Sequence, residues 1–225
     1  YSPNNSKNMT DDDKRLDINN IFGFNRLGTS TSVEGGASLT YGLDYSRSDK
    51  SDNEVFSAKI ANIFRPEEDV NLPKKSGLNN KTSDIVGQIN LIPNQNFKIK
   101  YDFALKENLA DTSYELLGTE LKLNNFVNTF EYLSEKGSTT NTSYFFNESK
   151  ISNNDNSKSL AFSTRKNIET DVTEFYNLIY EYRNDCLVAA LEYNKDYYSD
   201  TGLKPEENIF FKLTILPFGQ TSSPN

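Results

Sequence analysis

The sequence predicts an all-β protein, an antiparallel up-and-down transmembrane β-barrel, and three observations carry that expectation. Apolar residues recur at every second position through about eleven stretches of roughly 9 to 12 residues, the strand length that crosses a bilayer at a tilt. The 225-residue chain is only 35% hydrophobic, with a mean hydropathy of -0.69, yet 12% of it is aromatic. That is too polar for an ordinary dry core and too aromatic for disorder, but a sheet with lipid on one face and water on the other needs only half of each strand apolar. Finally, the connections tend to alternate in length, although two, near Gly137 and near Asn153, fit this badly. Pro93 to Asn96, Asn124-Asn125 and Asn184-Asp185 are short, whereas Arg65 to Thr82, Glu107 to Tyr114 and Tyr197 to Asn208 are long. Outer-membrane barrels have that topology, with the short side toward the periplasm.

Residues 1 to 35 precede the strands. The first twenty are polar, with Asp11-Asp12-Asp13, and read as a loop or mobile end; Ile21-Phe22-Gly23-Phe24-Asn25-Arg26-Leu27, Gly28 and Glu34-Gly35-Gly36 read as an ordered loop. Alternation then begins with Ala37, Leu39, Tyr41, Leu43 and Tyr45, and resumes after a short turn with Phe56, Ala58 and Ile60. Beyond the break from Arg65 to Thr82 come Ile85 to Leu91 and Phe97 to Leu105. If Leu91 lies opposite Phe97, as their shared apolar parity suggests, the turn between them holds an odd number of residues. Leu117 to Leu123 and Phe126 to Tyr132 flank a two-residue loop at Asn124-Asn125. Two weaker strands follow, near Thr140 to Glu148 and Ser157 to Lys166.

Val172 to Arg183 carries Tyr176, Leu178, Tyr180 and Tyr182 on one parity, and the next strand carries Leu187, Ala189, Leu191 and Tyr193. With Asn184-Asp185 as a two-residue loop, Arg183 lies opposite Cys186 and Tyr182 opposite Leu187. Ile209, Phe211, Leu213 and Ile215 close the set. Tyr41, Tyr101, Phe103, Leu121, Tyr180, Leu191 and Leu213 are expected to point outward, and Asp44, Lys100, Asp102, Glu120, Glu181 and Glu192 to the wet side.

The composition also excludes functions. A net charge of -8 argues against a nucleic-acid partner, since such binding needs clustered Lys and Arg. The chain has no histidine and one cysteine, so the commonest catalytic bases and metal ligands are missing, and no catalytic, cofactor-binding or metal-binding residue is assigned. No apolar run reaches the roughly 18 residues of a membrane helix. Cys186 falls on the polar parity beside a short turn. In an oxidising periplasm it is either bridged to something outside this chain or a tolerated free thiol. The chain opens at Tyr1 without a leader and reads as the distal piece of a longer precursor.

Tyr182-Arg183-Asn184-Asp185-Cys186-Leu187, followed by Tyr193, Asp196, Tyr197 and Asn208-Ile209-Phe210-Phe211-Lys212-Leu213 through Phe218-Gly219, resembles the C-terminal end of the LptD family. Those are outer-membrane proteins that insert lipopolysaccharide into the outer leaflet. Ile21 to Leu27, with Glu34-Gly35-Gly36 and Tyr41-Gly42-Leu43, is similar to a second segment of that family. No enzyme is expected from these residues. Residues 1 to 35 are expected as polar end and loop, 36 to 218 as strands that the resemblance makes the C-terminal part of a larger barrel, and 219 to 225 as a tail. The partners that the resemblance implies are lipopolysaccharide, outer-membrane lipid, an LptE-like lipoprotein plug, and periplasmic lipopolysaccharide-bridge proteins reached through a missing N-terminal domain. Cys186 matches the family's cysteine that is bridged to that domain, although Asp185 stands where many members have a second cysteine. The last strand, Ile209, Phe211, Leu213 and Ile215, would form one edge of a lateral opening. A passive porin for small solutes is the alternative that shares every alternation argument; an outer-membrane enzyme, a third, suffers from the absent histidine.

Overall fold

The computed structural model describes residues 14–24, 26–27, 34–137, 140–197 and 204–216. Eleven strands form one antiparallel sheet in sequential order: β1 (Leu39–Ser48), β2 (Glu54–Phe64), β3 (Ile85–Asn94), β4 (Phe97–Leu105), β5 (Thr112–Leu123), β6 (Phe126–Lys136), β7 (Asn141–Ser152), β8 (Lys158–Asn167), β9 (Val172–Arg183), β10 (Leu187–Asp196) and β11 (Glu206–Ile215). The architecture is the all-β, up-and-down meander expected of a barrel portion. No helix among the described residues is long and apolar enough to cross a membrane, which says nothing about crossing by strands.

The turns are built by side chains that hydrogen-bond their own backbone. Asp49 accepts from the amides of Ser51 at 2.7 Å and Asn53 at 3.0 Å, closing β1 on β2. Its carboxyl is held below the ordinary range, first by the Asn53 side chain and then by those amides. Asn124 takes a left-handed φ of 51° between β5 and β6, which a two-residue hairpin loop there requires.

Two registers differ from the sequence reading. Leu91 lies opposite Ile99, not Phe97, and the β3–β4 turn is the even pair Gln95-Asn96, closed by Asn94 opposite Phe97. An irregularity between Leu91 and Asn94 absorbs the mismatch and keeps apolar opposite apolar. Between β9 and β10 the loop is Asp185-Cys186, one residue later than expected. Val188 therefore lies opposite Arg183 and Ala189 opposite Tyr182. The Asn184 amide donates to the Leu187 carbonyl at 2.9 Å, while the Asn184 Oδ1 accepts from the Cys186 and Leu187 amides, both at 2.9 Å. That side chain chooses the loop: Asn184 serves as the residue before the turn and not as its first member.

The chain divides into two compact units, Tyr1–Thr119 with Glu131–Ser143, and Glu120–Phe130 with Tyr144–Asn225. In the first, the rows Leu43, Ile60, Gly87, Phe103 and Tyr45, Ala58, Ile89, Tyr101 run across β1 to β4 on one face. The row Asp44, Lys59, Gln88, Asp102 runs on the other. The outward group is not a central core, since Tyr41 is 53% exposed. Instead, the core sits on the polar face. Ala61, Ile63, Val86, Ala104 and Tyr114 are buried there together with Leu16, Ile21, Leu27, Leu72 and Leu78 from outside the strands. Leu16 and Ile21 lie in what the sequence reading treats as polar end and loop, and Leu72 and Leu78 in the long break before β3; residues 1 to 13 are outside the described residues.

In the second unit the rows Leu160, Tyr180, Leu191, Phe211 and Phe162, Leu178, Tyr193, Ile209 share a face across β8 to β11. Glu181 and Glu192 lie on the opposite parity, as expected.

Candidate functional site

The β11 side chains Ile209, Phe211, Leu213 and Ile215 alternate onto the apolar face and are 72, 70, 55 and 73% exposed. β11 ends the sheet: among the described residues it pairs with β10 alone. Its far edge therefore presents a row of unpaired N–H and C=O groups beside large exposed apolar side chains. Tyr180 and Leu191 continue that surface at 44 and 49% exposure. Scattered exposed apolar residues are ordinary on a soluble protein, but a continuous apolar sheet face marks contact with lipid or a partner.

The opposite face of β9 to β11 carries a paired polar set around Glu192, with Ile179 and Phe210 lying directly opposite that residue. Glu192 Oε2 takes Lys212 Nζ at 2.5 Å, and its Oε1 accepts from Asn177 at 3.2 Å and Asn194 at 3.1 Å. The first unit has an equivalent ladder. Lys59 pairs with Asp44 at 3.2 Å, Gln88 donates to Asp102 at 2.8 Å, and Asn90 donates to Ser57 at 3.1 Å. Opposite charges and amides stabilise a sheet directly across it, as in the first unit, or on the diagonal, as from Glu192 to Lys212 and Asn177, while keeping the face wettable.

Cys186 is the second residue of the β9–β10 turn and is half-buried. It does not face Arg183 from a ladder position, because the loop occupies the residue expected to begin the strand. Its carbonyl accepts from the Leu216 amide at 2.8 Å, and Leu187 lies opposite Ile215. The structure thus brings together Cys186 and the end of β11, two features that the sequence reading treats separately.

A cluster of buried charges lies in segments that the sequence shows only as loop and break. Glu34 accepts from Arg26 Nε at 2.8 Å and Nη2 at 2.7 Å, and also from Arg65. Arg26 further donates to Ser38 Oγ at 2.8 Å, and Arg65 donates to the Gly35 carbonyl at 2.5 Å. The cluster ties the segment before β1 to the end of β2. Nearby, Arg15 stacks 3.5 Å from the Tyr114 ring centroid and reaches Glu135 at 3.3 Å, which also takes Lys75 at 3.0 Å. One signal announces this region. At Ala61, Ile63, Val86, Ala104, Leu116 and Leu133 the polar parity turns apolar, so something must cover it.

A family model described as LPS transport system D, LptD, matches residues 4–182. The chain belongs to the LptD family. That family transports and assembles lipopolysaccharide at the outer membrane, and the alternating sheet suits such a protein. The match takes in the segment around Ile21 to Leu27 and the Glu34 cluster and ends at Tyr182. β10, β11 and Cys186 therefore rest on geometry and on their own resemblance to the LptD family. No curated protein matches the chain.

Proposed function

We propose that this chain is the C-terminal part of an outer-membrane translocon that inserts lipopolysaccharide into the outer leaflet through a lateral opening of a larger barrel. The observation that carries the reading is β11. It is an apolar, exposed edge strand with unsatisfied backbone groups, and hydrocarbon does not tolerate those groups open. A first strand lying outside this chain would close on that edge, weakly enough to part for a lipid. The polar face of Glu192, Asn177 and Lys212 then lines the lumen that passes the hydrophilic part of the lipid, and an LptE-like lipoprotein plugs it. The chain acts by transport and not by catalysis. Residues 1 to 35 serve as end and loop, 36 to 218 as barrel wall and 219 to 225 as tail.

Cys186 would be bridged to a cysteine of the preceding periplasmic domain, the route to the periplasmic lipopolysaccharide-bridge proteins. Its position at the turn that meets the end of β11 supports this, since a bridge there fixes the domain beside the opening. A disulfide needs Cα atoms within about 7 Å, so the domain must dock at that turn.

The test is photo-crosslinking in cells expressing the full-length protein, with a photoreactive phenylalanine in place of Phe211 or Ile209 and, as control, of Phe56. Lipopolysaccharide adducts at the β11 positions and none at Phe56 are expected. Adducts at neither, with unchanged surface lipopolysaccharide on depletion, would overturn the reading in favour of a passive pore.

A further inference from the structure

Beside the second unit's polar ladder lies a cavity of about 420 Å³, within the size range of small-ligand sites. It is lined by Arg165, Asn167, Glu174, Phe175, Asp196 and Tyr197 among others, at the end of β8, β9 and β10 remote from Cys186. An irregular pairing builds it. Arg165 lies opposite Phe175 but Lys166 lies opposite Thr173, so Glu174 is an extra residue on β9. Such bulges re-aim a side chain. Here the Glu174 carboxylate turns to Arg165 Nε and to Asn167 Nδ2, the latter at 3.0 Å, and the Tyr197 amide pins the bulge by donating to the Glu174 carbonyl at 2.7 Å.

Among the described residues, Arg165 is held from three sides and left open on the fourth. Its guanidinium carbon lies 5.4 Å from the Tyr144 ring centroid and 5.3 Å from that of Phe175, while Glu174 takes its Nε. Among the described residues no group accepts from its two Nη nitrogens, and none donates to the Asp196 carboxylate. Among the described residues the cavity therefore offers a donor fork, an acceptor without a donor and an aromatic wall of Phe175 and Tyr197, the Phe175 ring being shared with Arg165 and with Phe146 at 6.4 Å. Its charge decides what these would hold. In the lining one guanidinium stands against two carboxylates, and Lys195, whose Nζ lies 5.4 Å from the Tyr197 ring centroid, is paired with Glu207, so the balance is negative, which disfavours phosphate and carboxylate ligands. A neutral sugar has hydroxyls that both donate and accept and a C–H face that lies on an aromatic ring.

We infer that this cavity binds a neutral pyranose unit of a glycan, with its hydroxyls on the Arg165 fork and Asp196 and its apolar face on Phe175. The inference rests on the transport reading only for the glycan's origin, the sugar portion of lipopolysaccharide. The binding chemistry does not depend on it.

The test titrates the full-length protein in detergent micelles by saturation-transfer NMR. The ligands are the neutral oligosaccharide cleaved from lipopolysaccharide, an unrelated neutral glucan and inorganic phosphate. The cleaved oligosaccharide is expected to bind without competition from phosphate. Arg165→Ala and Phe175→Ala should each weaken it by about tenfold, the effect of losing one charged hydrogen bond or one stacked face. Should either fail to fold, Arg165→Lys, which keeps the charge without the fork, and Phe175→Leu carry the comparison with the same expected direction. Unchanged binding in the folded variants, or displacement by phosphate, would overturn the site. Equal binding of the glucan would support the site but sever it from lipopolysaccharide. Surface lipopolysaccharide on depletion is scored separately, so a failed transport reading is distinguishable from a failed sugar site.

Discussion

Glu34, with a side chain only 5% exposed, carries two guanidinium partners, whose own side chains are 9% and 3% exposed. Removing the shared carboxylate leaves two buried cations facing each other, and breaking a buried pair in this way costs about 3–5 kcal/mol. Glu34→Ala should therefore destabilise the full-length protein strongly in urea titrations scored by heat-modifiable gel mobility, whereas exchanging the exposed Asp44 should change little. Equal effects would mean that the cluster is not a structural tie. Asp84, just before β3, tests the same region by pH. Burial pushes its carboxyl above the ordinary range, and the hydrogen bond from Ser113 Oγ only partly offsets this. A folded value above the unfolded one means that Asp84's contribution is fully present below the ordinary carboxylate range. It is lost as pH rises through the raised folded value. Asp84→Asn should flatten stability across that window, because the amide oxygen still accepts from Ser113. Parallel pH profiles for the two proteins would show that the group is not buried as described.

Each hairpin combines a strand pattern that fixes faces with a turn that fixes register, and only the first is plain in a sequence. Parity assigned Tyr180 and Leu191 to one face and Glu181 and Glu192 to the other, as found. Yet parity is unchanged when a pairing slides by two residues, so it cannot distinguish a loop at Asn184-Asp185 from one at Asp185-Cys186. The choice is made by Asn184 Oδ1 accepting two amides, which composition does not reveal. The extra residue Glu174 was equally hidden, because a bulge breaks alternation at one position without changing the strand's character. The covered end of the first unit was legible in part. Apolar residues on the polar parity of β2, β3 and β4 signal a cover, but not that Leu16 and Ile21 supply it. Asn184→Ala should remove both turn hydrogen bonds, at about 0.5–1.5 kcal/mol each. Hydrogen exchange at the Cys186 and Leu187 amides should accelerate, with β1 and β2 unaffected. Protection unchanged at Leu187 would mean that strand pairing alone sets this register.

Two faces of opposite character, held by one sheet, are what a protein of the lipopolysaccharide transport system needs if lipid slides along one side while sugar passes along the other. The same division yields a prediction that separates lipid contact from mere exposure. Leu191 is 49% exposed and lies in the row with Tyr180 and Phe211, while Glu181 stands on the opposite face of the neighbouring strand. If the apolar face met water, Leu191→Arg would be a surface substitution with an effect of about ±0.5 kcal/mol. Against hydrocarbon, an arginine on the lipid face of a barrel costs about 2–4 kcal/mol near the bilayer midplane. Glu181→Gln removes only the exposed ion pair with Arg183, 3.4 Å away, and should be nearly neutral in either setting. Urea titration of the full-length protein folded into phospholipid vesicles measures both variants against wild type. A large penalty for Leu191→Arg beside a negligible one for Glu181→Gln is expected. Near-equal values would place this face in water or against protein, and the edge of β11 would then need a partner other than lipid.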